Sequence, residues 1–376
     1  MSVDYNLKRN TAISLPVQIS NILRRSILNG EFKPGKKLYS IRKLAKKFDV
    51  ATLTIERALE ILDKEGFLKR IPMKGIYVSP QSVALHRRLN ICVPYPVASI
   101  AVNNLHGEAW SAISELYRGL FSIIGDENIS LQFVYYEDTD DQNKLAAQLD
   151  SLLQYDAAVF LGTEQLRSLQ NKVSPMLPSF RVLGDIDENG AQGFIDIDYD
   201  RRKAYRTIIN HAKECGAETI TCFTNSHGKK KYDVFRQLAL ESGIREVIKV
   251  EYNNSMADIK NAFSTYLQKQ TGKADFMFCM LSDPIPQLYE AARNCNIELG
   301  KDLQVVALAS GVTFVSLYPS LTYCRIPRFE MGCETMRAMI SSLRAGKKIE
   351  SLPLFEAEFI QGMTTKPLTT KQFNQQ

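Results

Sequence analysis

Tyr39-Ser40-Ile41-Arg42-Lys43-Leu44-Ala45-Lys46-Lys47-Phe48-Asp49-Val50-Ala51-Thr52-Leu53-Thr54-Ile55-Glu56-Arg57-Ala58-Leu59-Glu60-Ile61-Leu62 holds two apolar stripes of helical period. Ile41, Leu44, Ala45 and Phe48 form the first, and Ile55, Ala58, Leu59 and Leu62 the second. Phe48-Asp49-Val50 leaves room for a short turn between them, so two short helices cross steeply. Such a pair directs the N-terminus of its second helix toward a DNA major groove. Ser40 is placed to cap the first helix. Gly66 closes the second, and Phe67–Arg70 with Ile76–Ser79 are expected to form a hairpin around Pro72-Met73-Lys74-Gly75. Upstream, Ile19, Ile22, Leu23 and Ile27 mark a helix that opens at Ser14-Leu15-Pro16 and stops at Asn29-Gly30. Residues 1–13 read as a polar arm.

Charge separates this region from the rest. Residues 1–80 hold 16 Lys or Arg against 7 Asp or Glu, while the remainder holds 31 against 34. A basic segment on a mildly acidic body is the pattern of a nucleic-acid-binding domain attached to a second function, although a solvated basic face gives the same count. The 376 residues suffice for two or three domains. No apolar run reaches the roughly 18 residues of a membrane span, and Met1–Asn6 lacks the apolar centre of a signal peptide. The seven cysteines are scattered and never spaced C-x-x-C, which fits reduced thiols of a cytoplasmic protein. The four histidines make no ligand pair, so neither a metal nor a cofactor is expected.

After a linker at residues 80–88 the pattern changes. Apolar strands alternate with amphipathic helices: Leu89–Val93 and Glu108–Ile124, Leu131–Tyr136 and Gln142–Leu153, Ala157–Leu161 and Gln165–Val173, and then Phe180–Leu183 and Gly193–Ile197. The alternation continues from Arg201–Cys215 to Phe329–Ala345. It implies parallel sheets covered by helices, with ligands at the carboxyl ends of the strands.

Residues 15–78 resemble the winged-helix DNA-binding domain of GntR-type bacterial regulators. The resemblance rests on Ile27–Leu38 for I-x-x-G-x-x-x-P-G-x-x-L, Ser40–Ala45 for S-x-R-x-L-A and Met73–Val78 for the wing. It departs at the recognition helix, where Ala51 replaces a capping Ser and Thr52 a base-reading Arg, and at Met73, which replaces the first wing glycine. The DNA-contact set implied is Ser40, Arg42, Lys43, Lys46, Thr52, Thr54, Arg57, Lys74 and Gly75. Thr52 and Thr54 suit base edges and the thymine methyl, Arg42 and Arg57 suit guanine or phosphate, and the lysines suit phosphate. Glu56 is expected to turn away from the DNA.

Residues 89–376 resemble the effector domain of LacI/GalR-type regulators, chiefly through Pro319–Gly332, with weaker matches at Ile197–Gly216 and Ser282–Val306. The resemblance implies a two-lobed periplasmic-binding-protein-like body. The expected architecture is therefore a small α+β winged-helix domain (1–79), a linker (80–88) and a two-lobed α/β domain with parallel sheets (89–376). It also implies a sugar or sugar derivative as effector, a homodimer on an inverted-repeat operator, repression relieved by ligand, and no membrane partner. Strand-end positions supply the effector candidates Asn103, His106, Trp110, Asp138, Asp185, Lys231, Asp283 and Ser310. Trp110 fits a core helix stripe better than a sugar contact, and Asp283 equally fits a helix cap. Two other readings stay open. The body dimerises without binding a ligand, or it is an enzyme, against which stand its 288 residues and the lack of a Walker loop, G-x-S-x-G or H-E-x-x-H motif.

Overall fold

The computed structural model describes residues 7, 14–28, 30–80, 88–96, 108–124, 128–137, 139–161, 167–183, 194–225, 229–253, 255–269, 275–281, 284–309, 316–345 and 352–367. The chain divides into two compact units. The first is Met1–Asn90 with the short pieces Asp126–Ser130 and Ile340–Lys348, and the second is the remainder.

The first unit is a three-helix bundle with a hairpin. Helix α1 (Leu15–Leu28) buries Ile19, Leu23 and Ile27, spaced four apart, and Gly30 follows in the left-handed region at φ 77°. Helices α2 (Ile41–Phe48) and α3 (Thr52–Lys64) bury the two stripes named above. One apolar cluster joins all three helices to Phe67, Leu68 and Val78. Strands β1 (Leu68–Ile71) and β2 (Gly75–Val78) pair antiparallel, with Leu68 opposite Val78 and Ile71 opposite Gly75. The hairpin strands thus start one residue away from their expected positions. Arg24 reaches both carboxylate oxygens of Glu65 (2.7 Å), tying α1 to the end of α3.

The second unit contains two sheets. In the first, β3 (Leu89–Pro96), α4 (Glu108–Ile124), β4 (Ile129–Tyr136), α5 (Gln142–Leu152), β5 (Ala157–Leu161), α6 (Arg167–Val173), β6 (Ser179–Val182) and β7 (Phe194–Ile197) follow in turn, with strand order β4-β3-β5-β6-β7. In the second come α7 (Arg201–Glu214), β8 (Thr219–Asn225), α8 (Lys229–Glu241), β9 (Glu246–Tyr252), α9 (Met256–Gln268), β10 (Asp275–Cys279), α10 (Ile285–Asn294), β11 (Leu303–Ala309), β12 (Thr322–Arg325), α11 (Arg328–Ala345) and β13 (Glu358–Ile360). Its order is β9-β8-β10-β11-β12-β13. The two sheets share one topology, in which the second strand lies outside the first and the third follows on the other side. That order places a topological switch point in each sheet. All seven residues of β11 are buried, as befits a strand covered on both faces.

One element departs from the expected all-parallel sheets. Strand β13 is antiparallel to β12, pairing Arg325 with Glu358 and Tyr323 with Ile360. Three residues carry too short a pattern to announce a strand. Elsewhere the chain yields the expected helices and strands with ends shifted by a few residues; α8, for example, starts at Lys229 rather than Lys231. Within the expected linker, residues 81–87 lie outside the described residues.

Among the described residues, three segments cross between the sheets: Ile197 to Arg201, Arg325 to Arg328, and residues 352–357 before β13. Phe355 bridges the first and third, since its N–H donates to the Asp198 carbonyl (2.9 Å) and its carbonyl accepts from the Asp200 N–H (2.7 Å). Beyond the second crossing, α11 packs tightly on α4. A Cβ at Gly332 would strike the Leu116 carbonyl, and one at Gly119 the Phe329 carbonyl. The Ser122 hydroxyl lies 3.2 Å from Cys333 Sγ at the same crossing.

Thr364 and Thr365 pin the segment after β13 to the second sheet. Thr364 accepts from the Thr322 N–H and donates to the Val305 carbonyl, both at 2.8 Å. His211 is 3% exposed, and its Nε2 shares a 2.8 Å hydrogen bond with Thr365 Oγ1. Burial holds the imidazole pKa down to about 4.

Gly332→Ala should lower the stability of the second unit by about 3 kcal/mol, because backbone on the facing helix cannot yield to a methyl group. Urea unfolding measures this, and an unchanged midpoint would mean that the helices separate freely. Between pH 6.5 and about 4 the unfolded chain binds a proton that folded His211 refuses. Its contribution to stability therefore falls as pH falls, by at most about 1.4 kcal/mol per unit. Asp198 works in the opposite sense over part of this window, since its carboxyl is pushed up to about 6 and its contribution is lost as pH rises. In melts at pH 4.5, 5.5 and 7, His211→Gln should show a shallower acid-side decline than wild type, the Asp198 contribution being common to both.

Candidate nucleic-acid interface and crossover cluster

The helix pair is built by its caps. Ser40 sits extended at φ −60° and ψ 151°, and its hydroxyl accepts from the Lys43 N–H at 3.3 Å. Asp49 then turns left-handed at φ 52°, sending its N–H back to the Ala45 carbonyl. The Val50 N–H reaches that carbonyl as well, at 3.1 Å. A single left-handed residue therefore ends α2 and frees α3 to start at Thr52. Ala51 holds the cap geometry, at φ −64° and ψ 149°, without a side-chain bond.

Burial defines the face that α3 offers. Ile55, Ala58, Leu59 and Leu62 point inward, which leaves Leu53 and Arg57 at the centre of the outer face. Leu53 is 56% exposed. Thr52 is exposed and Thr54 half-buried, one on either side of that face, and half-buried Glu56 follows one turn after Thr52. Leu53 was not among the sequence candidates; its signal is an apolar residue that falls off the buried stripe. On α2, Arg42, Lys43, Lys46 and Lys47 are all exposed. Lys43 Nζ lies 4.3 Å and Lys47 Nζ 5.3 Å from the centroid of the Tyr39 ring, so one aromatic face gathers two cations.

The hairpin stands beside α3. Arg70 Nε donates to Asp63 at 3.1 Å, holding β1 to the helix. Residues 35–38 pair along β2, with the Leu38 N–H donating to the Ile76 carbonyl at 2.8 Å and the Gly35 N–H to that of Val78 at 2.9 Å. Gly75 has φ 111°, and a Cβ there would meet Lys37 Cε at 2.7 Å. The backbone angle requires glycine there, while the flexible end of the Lys37 side chain could move aside. Lys74 is exposed at the hairpin tip.

In the second unit, charged groups from distant stretches meet at the crossings. Asp198 is buried, accepting from the Tyr199 N–H (2.8 Å) and from Arg201 Nη2 (3.3 Å). Burial pushes its carboxyl up to about 6 against the pull of Arg201 and Lys231. Arg201 also donates to the Tyr199 hydroxyl (3.4 Å) and lies 5.3 Å from that ring's centroid. Arg328, the first residue of α11, acts electrostatically on both Tyr199 and Glu115. Burial raises the Glu115 pKa, opposed by Arg328, Arg118 and Arg325. Of the effector candidates, Lys231 lies in the first turn of α8 and belongs to this cluster. Trp110 lies on α4, with its side chain outside the described residues. Asn103, His106, Asp138, Asp185, Asp283 and Ser310 also lie outside them.

All seven cysteines are free, six of them buried. Among the described residues no cluster of His, Cys, Asp or Glu is arranged to hold a metal, and no helix is long and apolar enough to cross a membrane.

Residues 15–78 match the family described as "Bacterial regulatory proteins, gntR family". They form a GntR-type winged helix-turn-helix. The HTH-type transcriptional repressor NagR of Bacillus subtilis (strain 168) is 35% identical over 74 residues, which cover 20% of this chain and 30% of that protein. The chain therefore matches less than a third of the length of NagR. The Arabinose metabolism transcriptional repressor of Geobacillus stearothermophilus is 20% identical over 383 residues, spanning 94% of this chain and 98% of its own length. The crystal structure of a LacI family transcriptional regulator from Bifidobacterium animalis subsp. lactis DSM 10140 superposes with a TM-score of 0.60 at 18% identity, covering 74% of this chain and 98% of that one. The body following the GntR-type module therefore has the LacI-type two-lobed fold.

Ala51→Ser should add a side-chain acceptor to the first turn of α3, where the Thr54 N–H now reaches only the Ala51 carbonyl (3.0 Å), and raise the stability of the first unit by about 1 kcal/mol. Urea unfolding checks this; a loss of stability would show that the turn excludes a hydroxyl there.

Proposed function

We propose that this chain is a sequence-specific, DNA-binding transcriptional regulator governed by a small molecule. Its domains are a winged helix-turn-helix at 1–79, a linker at 80–88 and an effector and dimerisation body at 89–376. The observation that carries the reading is the outer face of α2 and α3, where Arg42, Lys46 and Lys47 are exposed beside the open first turn of α3. The lysines supply the salt-dependent hold on phosphate, and Thr52, Leu53, Thr54 and Arg57 meet base edges. Leu53 suits the methyl group of thymine.

The effector we assign is a sugar or sugar derivative, taken up at the strand ends beside the crossings. Lys231 would donate to its hydroxyl groups there, next to the buried Asp198–Arg201 pair. The name of the arabinose repressor, alike over nearly the whole chain, supports a sugar. A ligand that favours one arrangement of the three crossings shifts the body between states, and DNA affinity with it. Repression relieved by ligand is the expected sense. The assembly is a homodimer on an inverted repeat. Phe121 (50% exposed), Phe133 and Tyr135 (59%), on α4 and β4, form an apolar surface suited to a second copy.

The test starts with selection of duplexes from random DNA by the full chain. It should enrich an inverted repeat with half-sites about one helical turn or more apart. Lys46→Ala should reduce the salt dependence of binding by about one phosphate contact. A thermal-shift screen of monosaccharides, sugar phosphates and nucleosides should identify a compound that raises the midpoint by several degrees and changes duplex affinity, with both effects lost in Lys231→Ala. Failure to enrich any duplex would refute the DNA reading. Enrichment with no response to any compound would refute the sugar.

A further inference from the structure

Met73 stands at the tip of the β1–β2 hairpin in a state that is locally unfavourable twice over. Its φ is 63°, in the left-handed region where an L side chain other than Asn or Asp is strained. Its side chain is also completely exposed, so an apolar chain lies in water with nothing packed on it. Glycine would remove both penalties at once. A residue that breaks local rules without a gain in folding marks a place where something outside the fold is engaged.

The surroundings say what that partner is. Between Lys69 and Gly75 the hairpin carries Lys69, Arg70 and Lys74 and no acidic residue. Lys36 and Lys37, on the segment paired along β2, are exposed as well. The tip is therefore apolar and its flanks are cationic. A DNA minor groove is the matching surface: two rims of phosphate around a channel about 6 Å wide that admits an unbranched side chain. Apolar wedges of this kind, methionine among them, part base steps from the minor groove. The hairpin is also tied to the recognition helix through Arg70 on Asp63.

We propose that Met73 is an apolar wedge that enters the minor groove beside the major-groove site of α3 and selects easily deformed A·T-rich steps there. The proposal rests on the DNA-binding reading above and adds a specificity determinant to it.

The experiment uses the full chain, a duplex recovered from random DNA by the wild type, and the variants Met73→Gly and Met73→Leu. Met73→Gly should raise the thermal midpoint of the first unit by about 4 °C through relief of strain, yet bind the duplex roughly tenfold more weakly. Opposite movements of stability and affinity exclude unfolding as the cause. Met73→Leu should bind within about threefold of wild type. Flanking A·T pairs replaced by inosine·cytosine, which keep the minor groove of A·T and change the major groove, should leave wild-type affinity intact. Replacement by G·C should weaken it, and Met73→Gly should lose that discrimination. The wedge is overturned if the glycine variant binds within twofold of wild type with its flank preference kept, if its midpoint falls, or if leucine is as weak as glycine. Recovery of no duplex by the wild type would overturn the DNA reading and the wedge together. A recovered duplex that Met73→Gly binds normally would overturn the wedge alone.

Discussion

Two hydrogen bonds on one residue, Phe355, hold the middle of the body together. Its N–H reaches Asp198 and its carbonyl reaches Asp200, so the first and third crossings form a minimal parallel ladder between the sheets. Asp198 then has its main chain in that ladder and its carboxylate buried beneath it. A buried carboxylate must be paired, and Arg201 pairs it. Arg201 in turn stacks on Tyr199, and Arg328 from the second crossing acts on the same ring. The end of β7, the start of α7 and the start of α11 therefore meet at one junction. Such a junction has few soft torsions, which suits two discrete lobe arrangements better than gradual bending.

The helix pair of the first unit follows the same economy. One left-handed residue, Asp49, ends α2, and one extended residue, Ala51, starts α3. Ala51 leaves the first turn of α3 without a side-chain cap, beside the exposed Thr52 and Leu53. Stability has been given up at the turn nearest the proposed DNA contact, as it has at Met73. Positions with structural duties lie close by. Gly75 is held by its backbone angle, and Lys43 by Tyr39.

Much of this was legible in the chain because periodicity and caps are local. The stripes at Ile41–Phe48 and Ile55–Leu62, the cap at Ser40 and the glycines at 30 and 66 fixed the helices of the first unit. Strong alternation of apolar strands and amphipathic helices did the same for the body. Strand β13 was missed because three residues carry no period, and its antiparallel pairing depends on β12 being an open edge. The exposed basic positions Arg42, Lys46 and Lys74 were legible from charge. Leu53 was passed over, although as an apolar residue off the stripe Ile55, Ala58, Leu59 and Leu62 it carried a signal in the sequence. The Asp198 cluster was illegible for a different reason: residues 115, 198, 201, 231 and 328 share no local pattern and meet because strand ends converge.

The sequence by itself determined that a basic helix-turn-helix with a wing precedes an α/β body, because those properties are set by residue spacing and by charge along the chain. The tertiary structure decided that both sheets repeat one strand order, that α4 and α11 meet through two glycines, and that Asp198 shares a junction with Arg201, Lys231 and Arg328. Those outcomes depend on which strand ends and helix faces come together in space, and no local pattern along the chain records that.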